Sequence, residues 1–167
     1  MPNARLPRSL FFLLVSASAL YIFYYYPRLP ERVASHFGGN GTPNGWQTKP
    51  VFLAFHVGAI VLATIISFGV PRMIGALPVQ LVNLPNREYW LAPERRAETL
   101  DFFAAYFAWF GCVIVIVILV AENLAIRANL DPARGFDTAT MWWTLGGLFV
   151  FLPIWIFRLF SRFLNKP

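Results

Sequence analysis

Charge, cysteine and histidine are all scarce in this chain, and each shortage removes a class of protein. Only 13% of the residues are charged while 57% are hydrophobic, too little polar surface to cover a soluble globule. The single cysteine, Cys112, lies in an apolar run, so there is no intramolecular disulfide and no thiolate metal site; it reads as a small core residue. Neither lysine, Lys49 or Lys166, falls inside an apolar run, which removes a retinal-type Schiff base. The net charge of +6 comes from basic residues scattered between apolar stretches without a stacking face, so nucleic acid is not an expected partner. H-E-x-x-H, G-x-S-x-G and Walker-type Gly-Lys-Ser are all missing, and no pair of acidic residues is forced together by spacing. Neither an enzymatic activity nor a cofactor is expected.

Present instead are four apolar runs, 9–26, 51–70, 100–121 and 139–157. Crossing a bilayer takes about 20 helical residues, and in hydrocarbon every backbone amide must be satisfied within its own segment. The expected fold is all-α: one polytopic membrane domain over 1–167, a four-transmembrane-helix bundle with an ordered loop between helices one and two. Ala17-Ser18-Ala19 resembles a signal-peptidase site, but cleavage there would discard half of a run that continues through Leu20-Tyr21-Ile22-Phe23, so a retained anchor is expected. Nine basic residues fall in the N-terminus, the 71–99 loop and the C-terminal tail, and five in loops 27–50 and 122–138. The positive-inside rule then puts both termini in the cytoplasm and the 27–50 and 122–138 loops outside. Tyr24 to Tyr26 with Trp142 and Trp143 form an outer aromatic belt in this frame, and Trp90 with Trp155 an inner one.

Helix punctuation is legible as well. Asp137 or Thr138 can cap the fourth helix, Pro93 opens the third well before its span, and Pro153 is expected to kink the fourth. Gly111, Gly146 and Gly147 offer close helix contacts. Within the runs the titratable groups are Asp101, His56, Cys112 and interfacial tyrosines. His56 would lie about 7 to 8 Å deep by helical rise and take a hydrogen-bonded packing role. A transporter's interrupted helix pair is not present.

The outer loop, 27–50, has its own grammar. Leu29-Pro30 starts it extended, 33–37 alternates as a short strand, and Asn40-Gly41 and Pro43-Asn44-Gly45 are both turn signals, so a short hairpin is allowed. Thr48 can cap the second helix with Pro50 in its first turn. His36, Phe37, Gly41, Asn44, Trp46 and Lys49 are the candidate binding or loop-structuring residues: His36 bonding across the loop, Asn44 stabilising its own turn, Trp46 anchoring at the interface, Lys49 meeting phosphate or carboxylate. No metal site is called, although His36, His56, Glu31 and Glu122 share the outer side as imidazole and carboxylate ligands. In the inner loop, Asn86, Tyr89, Trp90, Arg95 and Arg96 form a second motif, whose arginines serve as positive-inside anchors.

The series Leu29, Pro30, Val33, His36, Phe37, Gly41, Trp46 and Lys49 resembles the bacterial membrane family called domain of unknown function 1648. That domain also precedes the second domain of SdpI-type toxin immunity proteins. Residues 83–96, Asn-Leu-Pro-Asn-Arg-Glu-Tyr-Trp-Leu-Ala-Pro-Glu-Arg-Arg, look like the stretch that follows in stand-alone members. The resemblance implies a bacterial inner-membrane protein without enzymatic activity. Asn44 stands where family members often carry an acidic residue, which weakens a charge or metal role there. The chain is also too short for the second SdpI-type domain, so immunity rests on analogy.

The function expected from these features is binding or sensing of a peptide, a lipid or a membrane-protein partner through the outer loop. Membrane lipids are constant neighbours, and a homo-oligomer is left open. The alternatives are a purely structural membrane subunit, with the motif closing the top of the bundle, and a metal-dependent membrane enzyme.

Overall fold

Each apolar run becomes a helix, and the polar stretches between them hold a hairpin, a short helix and turns. The computed structural model describes residues 4–164; Lys166, counted in the charge balance, lies outside them. Helix α1 (Arg5–Tyr25) is followed by strands β1 (Arg32–Phe37) and β2 (Pro43–Thr48) and by α2 (Lys49–Thr64). A π-helical stretch (Ile65–Gly69) joins α2 to α3 (Val70–Ala76), and the short α4 (Arg87–Trp90) leads to α5 (Pro93–Leu130) and α6 (Thr138–Leu164). Four stretches, Arg5–Arg28, Lys49–Ala76, Pro93–Leu130 and Thr138–Leu164, are long and apolar enough to cross a membrane. The architecture is therefore an all-α polytopic bundle, with one antiparallel two-stranded hairpin at one end.

Helix α5 is the axis of the bundle. At Gly111 an added Cβ would lie 2.0 Å from Ser67 Oγ and 2.8 Å from the Phe11 ring, so the missing side chain is what lets α1 and the π-helical stretch close on α5. Phe11, Ala63, Cys112 and Val115 form the buried cluster at this contact, and Ile22, Leu29, Val33 and Ile126 form a second one under the hairpin. Pro93 occupies the first turn of α5, where its missing N–H costs nothing.

Several expected boundaries shift. The second crossing continues through Pro71 to Ala76 instead of ending at 70; the π-helical stretch just before Pro71 is where the helical bonding pattern changes. Helix α5 runs to Leu130, so the expected 122–138 loop shrinks to 131–137. Glu122 does not end the helix, because it is buried there beside His56, and Leu124, Ala125, Ile126 and Ala128 continue the packed face. Gly146 and Gly147 have no heavy atom within 4 Å of an added Cβ, so they are not close-contact sites. Helix α6 is peripheral: Phe163 is its buried residue, stacked on Phe103, and higher up Trp155 stacks on Tyr106.

Candidate functional site at the hairpin end

The hairpin pairs Arg32 with Thr48, Val33 with Gln47, Ala34 with Trp46, His36 with Gly45 and Phe37 with Pro43, with register shifts on either side of His36. The chain reverses at Gly38–Thr42, where Gly38 N–H donates to Thr42 O and Gly41 N–H to Gly38 O. Gly41 takes φ +80°, and a Cβ there would meet Phe136 O at 2.7 Å, so conformation and space both demand glycine. The expected second turn at Pro43-Asn44-Gly45 does not form; these residues lie in β2. Gly45 instead lets the strands approach, since a Cβ would lie 2.9 Å from His36 Cβ. Asn44 accordingly reaches across the strands and hydrogen-bonds His36 Nδ1 through its side-chain oxygen.

Of the remaining motif residues, Lys49 also bonds within its own loop. Lys49 Nζ donates to Leu29 O at 3.1 Å and Pro27 O at 3.4 Å, sits over the Tyr26 ring and stands 4.0 Å from the exposed Glu31 carboxylate. Phe37 stacks on Phe136 with centroids 4.3 Å apart, and Trp46 is half exposed. Thr48 occupies the N-cap position of α2 without a capping side-chain bond. The loop is tied to the bundle by Asn129 of α5. Its Oδ1 accepts from Ala34 N–H at 2.7 Å, and its Nδ2 donates to Ala34 O and Ala125 O, both at 2.8 Å.

At the opposite end the second motif forms a clamp. Asn86, left-handed at φ 52°, donates through Nδ2 to Phe163 O and Leu164 O, and Trp90 Nε1 donates to Phe163 O. Arg96 bonds Gly75 O, and Arg95 lies over the Tyr89 ring.

Beneath the hairpin three helices bring polar groups to one depth. His56 Nε2 lies 3.4 Å from Ser18 Oγ, and its Nδ1 stands 2.8 Å from Glu122 Oε1. The His56 and Glu122 side chains are 7% and 5% exposed. His56 therefore takes an electrostatic partner besides the packing contact expected of it. The order serine, imidazole, carboxylate is that of a nucleophilic triad, but Ser18 is wholly buried in mid-helix, where backbone N–H groups are already used and leave no oxyanion hole. Of the four metal candidates, only His56 and Glu122 meet. Among the described residues no three His, Cys, Asp or Glu gather as a metal would need.

Two cavities flank this region. One, of about 530 Å³, separates the hairpin from the start of α6 and is walled by Phe37, Phe136, Met141, Trp142 and Leu145, with His36 and Thr138 at its edge. The other, of about 360 Å³, lies between α2 and α5 and contains His56, Glu122 and Gln47. The start of α6 is fixed by Asp137, which accepts from Thr140 N–H at 3.0 Å and Thr140 Oγ1 at 2.7 Å. These bonds hold the Asp137 carboxyl below its ordinary range, so a negative charge stands at the helix N-terminus. Ser18, Gln47 and Asn129 were not singled out from the sequence as site residues.

Four apolar helices with a hairpin folded over one end define a multi-pass membrane protein. Residues 13–66, which include most of α1, the hairpin and all of α2, match the family described as a domain of unknown function (DUF1648). No curated protein and no solved structure matches the chain. The matched segment carries Ser18, the hairpin motif and His56, while Glu122, Asn129 and the Asn86 clamp lie beyond it.

Proposed function

We propose that this is a bacterial inner-membrane protein, with both termini cytoplasmic and the hairpin outside, that binds an amphiphilic peptide or lipid and does not catalyse a reaction. The observation that carries this reading is the cleft between hairpin and α6. Its volume, about 530 Å³, falls in the range of small-ligand sites, and its wall is apolar with a polar edge. The excess of arginine at the clamp end supports the orientation. An immunity- or signalling-like role would follow by analogy with SdpI-type proteins, which give immunity to a peptide toxin.

A second reading, that the motif only closes the bundle, is favoured by the way His36, Asn44 and Lys49 bond within their own loop. The two readings separate with an environment-sensitive fluorophore on Met141→Cys, in a Cys112→Ala background reconstituted in nanodiscs. Titration with a lysophospholipid or a cationic Leu/Lys amphipathic peptide should give a saturable blue shift. Gly39→Trp, which fills open space on the cleft wall, should abolish it. An unsaturable shift, or one indifferent to the tryptophan, would leave the closing role as the better account.

A further inference from the structure

We propose that the cavity holding Gln47, His56 and Glu122 is a second binding site, one that takes a primary ammonium group on an apolar chain. It does not depend on the cleft reading. His56 lies seven residues into α2, and Glu122 eight residues before the end of α5, which places both about 10 to 12 Å below the hairpin end of their helices. At that depth an ionised carboxylate beside a neutral imidazole leaves an uncompensated negative charge, a costly state. One positive charge satisfies it, and that charge is either a proton on the pair or a bound cation.

The chemistry of the free atoms specifies the cation. Glu122 Oε2 and Gln47 Oε1 are buried and accept no hydrogen bond from the described residues, while Glu122 Oε1 is shared with His56 Nδ1 2.8 Å away. A free carboxylate oxygen and a free amide oxygen suit the N–H donors of an –NH₃⁺ group, which neither a quaternary ammonium nor an apolar ligand can supply. A bare metal ion suits the cavity poorly, because the described residues offer no third His, Cys, Asp or Glu and the space is far larger than an ion. Phe52, Ile118 and the 65% exposed Phe55 supply an apolar wall on the lipid side, where an alkyl chain would lie.

His56 is the other titratable group lining the cavity. On α1, Tyr21 interacts electrostatically with Glu122 and is itself within reach of Arg127 and Tyr25. His56 Nδ1 faces Glu122 Oε1 at 2.8 Å and its Nε2 lies 3.4 Å from Ser18 Oγ, which holds the ring in place and leaves Oε2 for the ligand.

The test uses the full chain in phosphatidylcholine nanodiscs, a lipid without primary amine, and tritiated octylammonium followed by scintillation proximity. Saturable binding is expected, displaced by unlabelled octylammonium but not by octyltrimethylammonium. Glu122→Gln should weaken it about tenfold or more, as loss of a charge-assisted bond does. If Glu122→Gln does not fold, Gln47→Leu, which removes one acceptor and leaves the pair intact, should still weaken binding severalfold. Absence of saturable binding, equal competition by octyltrimethylammonium, or unaltered affinity in both variants would overturn the site. Adding phosphatidylethanolamine to the nanodiscs distinguishes the sources: competition points to an aminophospholipid, and its absence to a free or peptide amine.

Discussion

Asn129 does at one position what the whole outer motif was expected to do. Its amide bonds both backbone groups of Ala34 and so docks β1 onto α5. Replacement by leucine would leave a buried donor and acceptor of the hairpin unpaired, a cost of about 2 kcal/mol or more. The expected outcome is faster amide exchange at Ala34 and neighbouring β1 positions and a lower Tm, with α1 and α2 unaffected; unchanged β1 protection would contradict the docking role. His36 and Lys49 stand out in the sequence because their residue types carry chemistry; His36 lies in β1 and Lys49 opens α2 just after the hairpin. Asn129 does not stand out, because an asparagine late in a helix looks like any polar residue near a helix end, and its partner lies 95 residues away. The role expected of Asn44 was close in kind but wrong in partner, since the turn it was to stabilise is a strand.

Helix α6 shows how an element can be held at its ends while its middle faces lipid. Asp137 caps its start, the Asn86 and Trp90 donors bind its final carbonyls, and large apolar residues such as Trp143, Phe149 and Phe157 lie exposed between. Asn86→Gly keeps the left-handed backbone available and removes only the side-chain donor. Amide exchange in the last turn of α6 should then quicken about tenfold, the equivalent of one hydrogen bond of about 1.4 kcal/mol, while the Asp137 end stays protected. Equal loosening at both ends would mean that α6 is held by packing along its length. Such a clamp was only half legible: the residues 83–96 stood out as a motif, but their target, two carbonyls of the final helix, has no sequence signature. The length of α5 was misjudged for a related reason. A charged residue normally ends an apolar run, and Glu122 does not because His56 stands beside it.

At the scale of the whole molecule, the large apolar surface left exposed on all four spans calls for lipid, and the orientation in that lipid can be measured. In a Cys112→Ala background, Gly39→Cys on the hairpin should react with an impermeant maleimide in intact bacterial cells. Glu88→Cys, beside the clamp, should react only after permeabilisation; the reverse pattern would invert the proposed topology. The number of spans and the proline that opens α5 were legible in the sequence, the cap of α6 was narrowed to Asp137 or Thr138, and a hairpin was allowed, because hydropathy, capping and turn chemistry act over a few neighbouring residues. What only the tertiary structure decided is which side chains meet: Ser18 with His56, His56 with Glu122, Asn129 with Ala34, and Asn86 with the end of α6. Those meetings depend on the rotation and depth at which separate helices pack, and Gly111 sets one such approach by what it lacks. Local pattern carries no record of these quantities, so the buried histidine–carboxylate contact in the bundle is decided only in three dimensions.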